Sequence, residues 1–319
     1  MGKVLVTGAY GFIGGAYCAH LAAHDVPYIG AVRARRADET RPEIVAVGDF
    51  ADADWTGPLV AEPVDCIVHL AARAHRMNDS ARNARAEYQR DNVEVTSDLL
   101  EAAAAAQVRR LVFASSAKVH GEATAPGVIL READPLEPQD DYARSKAEAE
   151  AWVREFGQAH RVETVILRLP LVYGPGVKAN FAALADAVAA RRLLPLGAIR
   201  NQRSLLGLTS LCTALDAART HPLAADQTFF VSDGEDVSTP ELVRAIADAF
   251  GVRPRLLRLP PRLLLSLATL ALRGDAARRL LDSFAIDNAK IRRTLGWSPS
   301  LTMAEELQRL AQARTPNLV

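Results

Sequence analysis

A glycine-rich turn between an apolar run and an alanine-rich segment constrains this chain more than any other feature. Residues 3–6 read KVLV, a buried parallel strand, and the sequence from Phe12 onward reads as a helix. Gly8, Gly11 and Gly14 lie at three-residue spacing in the turn between them. A helix N-terminus there presents unpaired N–H groups and a positive dipole end, and residues without a Cβ let a pyrophosphate come close. The ligand expected at such a turn is a dinucleotide.

The same rhythm continues. KVLVTG, PYIGAVR, EIVAVGDF, DCIVHLAA, RRLVFASS, TVILRLPLVYG and QTFFVSDG are apolar, β-rich runs with helical stretches between them. The alternation predicts an α/β fold: a doubly wound parallel Rossmann sheet with right-handed crossovers and ligands at the carboxyl ends of its strands. Past Arg168 the rhythm loosens into a helix around 180–191, the polar stretch GAIRNQRSLLGLTSL, a helix capped by Ser238 and the Pro260–Pro261 break. The expected division is residues 1–167 as the dinucleotide-binding domain and 168–319 as a smaller C-terminal α/β substrate lobe, partly interleaved with the first.

Composition excludes several classes. Among 319 residues, 38 basic and 38 acidic side chains cancel, so nothing favours a nucleic-acid or anionic-membrane partner. Cys18, Cys66 and Cys212 are scattered without C-x-x-C spacing, which indicates neither a disulfide framework nor a zinc site, and no metal is expected. A strand starting at Lys3 leaves no room for a signal peptide, so the expected location is the cytoplasm. The run LLLSLATLAL, 263–272, is too short to span a bilayer and reads as a buried or lid helix, with peripheral membrane contact the lesser alternative.

Chemistry enters with DDYARSKAEAEAWVREF, where Tyr142 and Lys146 lie four apart and share one helix face. A neighbouring ammonium favours phenolate, so the pair predicts a tyrosine with a lowered pKa, able to exchange a proton near neutrality. Ser115 and Ser116 end the strand run RRLVFASS, where a doubly wound sheet presents its ligands, and either hydroxyl could hold a substrate oxygen beside Tyr142.

Glycine turn, strand-end serine and Tyr-x-x-x-Lys occur in that order, and here the sequence resembles the extended short-chain dehydrogenase/reductase family, in its nucleotide-sugar epimerase/dehydratase branch. The resemblance covers nearly the whole chain through TGAYGFIG, HLAA, DNVEVT, SSAKVHGE, YARSK, RLPLVYGPG, NF and LGW-x-P. It implies that Gly8, Gly11, Phe12, Ile13 and Gly14 cradle the pyrophosphate, that Asp49 and Phe50 flank the adenine, and that Leu70, Ala71 and Ala72 line the cofactor. Asn92 is implied behind the active site, supporting its helix. The family's catalytic hydroxyl lies three residues before the Val of a V-x-G motif, which begins here at Val119 and selects Ser116. Tyr142 is then the acid/base residue, and Lys146 holds the nicotinamide ribose.

Two departures refine the expectation. NAD-using members place an acidic residue after the second strand, whereas this chain has VRARRADET; Arg33 and Arg36 suit a 2′-phosphate, so NADP(H) is favoured and NAD(H) is the alternative. Leu171 stands where many epimerases and dehydratases of this branch have asparagine, and Ala117 and Lys118 replace the dehydratases' acidic pair. The chain looks most like bacterial reductases of UDP-4-keto-6-deoxy-N-acetylhexosamines, which implies substrate contacts from Lys118, Asn180, Arg203 and Arg279 to a UDP-linked sugar. A 4-epimerase with tightly bound NAD is the second reading, and a cofactor-sensing binding protein on the same scaffold the third. The resemblance also implies a homodimer through a four-helix interface built from the segments EYQRDNVEVTSDLLEAAAAA and YARSKAEAEAWVREF of each subunit.

Overall fold

All seven predicted runs contribute a strand to one sheet. In the computed structural model, which describes residues 2–60, 63–73, 83–270 and 280–314, the first six are β1 (Lys3–Thr7), β2 (Tyr28–Val32), β3 (Ile44–Ala46), β4 (Val64–His69), β5 (Arg110–Ser116) and β6 (Glu163–Leu169). Next come the short strands β7 (Leu171–Tyr173), β8 (Leu193–Leu194) and β9 (Leu205–Gly207), then β10 (Gln227–Phe230) and β11 (Arg255–Leu256). The large sheet has the order β10-β6-β5-β4-β1-β2-β3, and every pairing in it is parallel. The order reverses beside β1, so the β1 and β4 carboxyl ends open a crevice suited to a dinucleotide.

Among the described residues to 270 the helices are α1 (Phe12–Ala23), α2 (Thr56–Val60), α3 (Ala84–Tyr88), α4 (Val95–Ala105), α5 (Asp141–His160), α6 (Ala179–Ala189), α7 (Leu208–Thr220), α8 (Thr239–Ala249) and α9 (Pro261–Leu270). Two more, α10 (Ala289–Leu295) and α11 (Met303–Arg314), lie beyond the undescribed stretch. Strand side chains alternate between two cores. Val4 and Val6 face α1 and α7 with Tyr17, Leu21, Leu211 and Leu215, while Leu5 faces α4 and α5 with Leu99, Leu100, Ala149 and Val153. That double burial explains the unbroken apolar runs.

A third core of Tyr173, Phe181, Val243, Ile246, Leu307 and Leu310 joins β7, α6, α8 and α11. The expected Ser238 cap is present as a full capping box with Glu241. Strand β10, from the C-terminal half of the chain, returns to the edge of the large sheet beside β6. The apolar run that begins at Leu263 is only partly buried. Leu264 packs on the third core, but Leu263 is 48% exposed, so the start of α9 has one covered side; residues 271–272 of the run lie outside the described residues. Among the described residues, no helix is long and apolar enough to cross a membrane.

Candidate active site

The glycine turn has the form its spacing requires. Gly8 sits at φ +71°, and a Cβ on Gly14 would lie 2.2 Å from the Gly8 carbonyl oxygen, so only glycine allows α1 to start this close to β1. Helix α1 begins at Gly11 with no side-chain cap and no acidic residue in its first turn. The N–H groups of Phe12, Ile13 and Gly14 therefore remain for an anion at the positive end of a twelve-residue helix. These residues fit a dinucleotide pyrophosphate.

The carboxyl end of β4 is tied to this turn by a buried chain of hydrogen bonds. Thr7 Oγ1 accepts from the N–H groups of Leu70 (3.1 Å) and Ala71 (3.0 Å) and meets His69 Nδ1 at 2.7 Å. On the other side of the ring, His69 Nε2 lies 3.1 Å from Thr96 Oγ1, which donates to the Asn92 carbonyl at 2.6 Å. Thr96 spends its one proton on Asn92, so His69 donates from Nε2 and accepts Thr7's proton at Nδ1. Burial, with the Lys146 charge nearby, pushes His69 down to about 3, and the ring stays neutral.

Asn92 belongs to a π-helical turn, Gln89–Glu94, that widens the junction between α3 and α4. Its amide accepts from Arg73 N at 2.8 Å and donates to Ser145 Oγ at 2.9 Å, and Ser145 donates to the Tyr142 carbonyl at 2.8 Å. Thr7, His69, Thr96, Asn92 and Ser145 thus link the nucleotide turn to the helix that carries Tyr142. Asn92 stands behind the site rather than lining it.

At the start of α5, Asp140 caps the helix by accepting from Ala143 N at 2.6 Å, which presents Tyr142 in the first turn beside the end of β5. Tyr142 shares a hydrogen bond with Ser116. Ser115 turns away and donates to Glu150 at 2.6 Å. Lys146, only 3% exposed, lies one turn on with its ammonium 4.2 Å from the centre of the Phe113 ring, and among the described residues no carboxylate is within ion-pair distance. A buried donor of this kind fits the hydroxyls of a ribose. The predicted tyrosine shift has the opposite sign: burial pushes Tyr142 up to about 12, Asp140 and Tyr88 add to it, and only the Ser116 bond opposes. Burial also brings Lys146 down to about 7 against the field of Glu150, so desolvation outweighs the expected ammonium effect on the phenol.

Behind Lys146 lies a charged network with no counterpart in the sequence reading. Glu150 is fully buried and receives Arg168 Nη2 at 2.7 Å and Arg154 at 2.6 Å, while Arg168 Nη1 donates to His120 Nε2 at 2.7 Å. Burial would raise Glu150, but the Arg168 and Ser115 hydrogen bonds hold it below the usual carboxylate range. The available signal was its place four residues after Lys146 on the same helix face.

The remaining sequence-predicted residues divide. Phe50 is a buried side chain, its ring 5.5 Å from that of Trp55, and the exposed Asp49 is ion-paired with Arg90. Arg33 is exposed, 5.7 Å over the Phe50 ring and 3.8 Å from both Asp49 and Asp91. Arg36 lies over the Tyr10 ring. Lys118 is 3.1 Å from both Glu122 and Asp140, so its charge is spent next to the α5 cap. Ala72 continues the β4 exit past Ala71. Asn180 is exposed in the first turn of α6, and half-buried Arg203 is held by backbone bonds to Val237 at 3.0 and 3.1 Å. Arg279 lies outside the described residues.

The sequence profile of the NAD dependent epimerase/dehydratase family matches residues 4–231. A UDP-glucose 4-epimerase from Vibrio cholerae is 36% identical over 98% of this chain and 95% of its own length. A dTDP-6-deoxy-L-talose 4-dehydrogenase (NAD(P)+) from Kitasatospora kifunensis is 27% identical over 98% of this chain and 96% of its own. Among solved structures, MoeE5 in complex with UDP-glucose and NAD superposes with a TM-score of 0.78 at 25% identity, covering 98% of both chains.

Proposed function

The chain belongs to the NAD dependent epimerase/dehydratase family, and from that premise we propose that it is an NADPH-dependent 4-ketoreductase of a UDP-4-keto-6-deoxy-N-acetylhexosamine. As a family member it is an NAD(P)-dependent enzyme. The observation that carries the finer reading is the mouth of the glycine turn: Arg33 follows β2 where a carboxylate would select a free ribose, and Arg36 stands beside it at Tyr10. A reductase exchanges its spent cofactor each cycle, which suits NADP(H). The product would supply surface-polysaccharide sugars from the cytoplasm.

When bound, NADPH supplies the hydride for C4. Tyr142 gives its phenolic proton to the oxygen that becomes the alcohol, and Ser116 holds that oxygen in line. Lys146 would donate to the nicotinamide ribose, and its charge there would stabilise the phenolate left on Tyr142. Asn180 and Arg203 face the nucleotide diphosphate of the substrate, where a guanidinium suits phosphate oxygens by charge and fork geometry. Two copies pair through α4 and α5.

The second reading is a 4-epimerase acting on a UDP-hexose or UDP-N-acetylhexosamine, favoured by the 36% identity to the Vibrio cholerae UDP-glucose 4-epimerase. Absorbance at the reduced-nicotinamide band separates the two. Stoichiometric NADPH oxidation on adding the 4-keto-sugar supports reduction, whereas inversion at C4 of UDP-N-acetylglucosamine with constant absorbance overturns it.

A further inference from the structure

Tyr10 occupies the glycine turn between Gly8 and Gly11, and none of the roles above uses its side chain. Its ring lies under the guanidinium of Arg36, whose Cζ is 4.2 Å from the ring centroid, and its hydroxyl is 3.3 Å from the Arg36 backbone N–H, which donates to it. The same hydroxyl donates to Glu39 Oε2 at 3.0 Å. Glu39 is fixed in turn: Arg41 Nη2 meets Oε2 at 2.7 Å, and Arg41 Nε and N meet Oε1 at 2.8 and 3.0 Å. Arg35 ties the loop shut by donating to the carbonyls of Glu39 at 3.1 Å and Arg41 at 3.3 Å.

This arrangement has two consequences at the exit of β2. A long arginine side chain on an exposed loop ordinarily loses much rotamer freedom on meeting an anion, and a ring that already carries the guanidinium removes part of that cost. The one carboxylate of the segment in contact with Tyr10 is meanwhile neutralised by Arg41, so it does not repel a phosphate arriving at Arg36. Glu39 is held down to about 2 by these hydrogen bonds from Arg41, with Tyr10 contributing, and remains an acceptor across the working pH range.

We infer that Tyr10 is a specificity-determining residue for the cofactor: its ring pre-positions Arg36 to receive the 2′-phosphate of NADP(H), and the Glu39–Arg41 pair holds the ring in place. The inference rests on the reading of the site as one for NADP(H), and it assigns the selectivity to a stacked pair rather than to arginine charge alone. A ring in this place acts only through Arg36 and leaves NADH binding alone, because NADH has no group for that guanidinium to hold.

Fluorescence titration of the purified chain with NADPH and with NADH tests this without any sugar substrate. The wild type is expected to bind NADPH at least about tenfold more tightly than NADH, as a charge-assisted phosphate contact implies. Tyr10→Leu should raise the NADPH Kd about fivefold, the equilibrium equivalent of a cation–π contact, with the NADH Kd held within about twofold. Tyr10→Phe, which keeps the ring but loses the hydroxyl bond to Glu39, should raise the NADPH Kd by less than Tyr10→Leu does and leave the NADH Kd within about twofold. In an Arg36→Met background, Tyr10→Leu should have no further effect on NADPH. Equal wild-type affinities for the two cofactors overturn the NADP(H) reading and this proposal with it. A selective wild type in which Tyr10→Leu weakens both cofactors alike, weakens neither, or still weakens NADPH in the Arg36→Met background overturns the role of Tyr10 alone.

Discussion

Ser115 and Ser116 end the same strand, yet Ser115 donates to the buried Glu150 at 2.6 Å while Ser116 hydrogen-bonds Tyr142. Successive strand residues face opposite sides, so one serine serves the charged network and the other faces Tyr142. Their alanine variants should fail differently. Ser116→Ala is expected to lower kcat by about two orders of magnitude, as loss of one aligned hydrogen bond in the transition state does, with Tm near wild type. Ser115→Ala should leave kcat within a few-fold but cost about 1–3 kcal/mol of stability, because Glu150 loses a partner where water cannot replace it. Rate assays beside thermal melts decide it; a Ser115→Ala protein slower than Ser116→Ala would reverse the assignment.

Lys146 offers a pH signature in binding alone. Burial brings it down to about 7, so at pH ~8 the amine is mostly neutral before NADPH binds. Ribose hydroxyls that accept from the ammonium favour the charged form, and NADPH binding at that pH should draw in about one proton; near pH ~6 the amine is already charged and uptake should vanish. Calorimetric titration in buffers of different ionisation enthalpy reads the proton count directly. Uptake that survives in Lys146→Met would assign the proton to another group.

His69 makes a prediction about acid stability. Its folded value, about 3, lies below the ordinary 6.5, so between those limits the unfolded chain binds a proton that the folded chain refuses. Its contribution is therefore complete above about pH 6.5 and is lost as pH falls toward 3. His69→Gln should lower Tm at neutral pH through the broken links to Thr7 and Thr96, and the gap to wild type should narrow between pH ~7 and ~5. Parallel melting curves across that range would show that the ring does not titrate on unfolding.

The strands were legible in the sequence because burial on both sheet faces writes them as unbroken apolar runs, and Tyr142 and Lys146 because helix geometry converts a spacing of four into a shared face. Partners brought together by the topology were not. Glu150 meets Arg168 across 18 positions and His69 meets Thr7 across 62, and each looks like an ordinary polar residue in its own segment. The contact of Phe50 with the ring of Trp55 likewise leaves no mark on the GDF motif. The direction of the Tyr142 shift failed because helix spacing states which charges are near but not how much water has been removed.

The proposed dimer carries an electrostatic penalty that is visible on the helices meant to form it. Glu94, Asp98 and Glu101 are exposed along one side of the π turn and α4, and Glu148 and Glu155 are exposed on α5 beside Trp152, which is 45% exposed. Asp98 already sits above the usual carboxylate range through burial and through Glu101 and Glu94. In an isologous interface each patch meets its own copy, so these carboxylates face carboxylates while Trp152 and the intervening alanines supply the apolar contact. Association should therefore tighten as salt rises from ~20 mM to ~200 mM, where the screening length falls from roughly 20 Å to roughly 7 Å. Trp152→Glu, which removes the largest exposed apolar side chain and adds another like charge, should leave a monomer. Asp98→Asn should strengthen pairing at low salt and flatten the salt dependence. Sedimentation velocity at tens of micromolar chain reads all three, and a dimer that survives Trp152→Glu or weakens with added salt would place the interface elsewhere on the molecule.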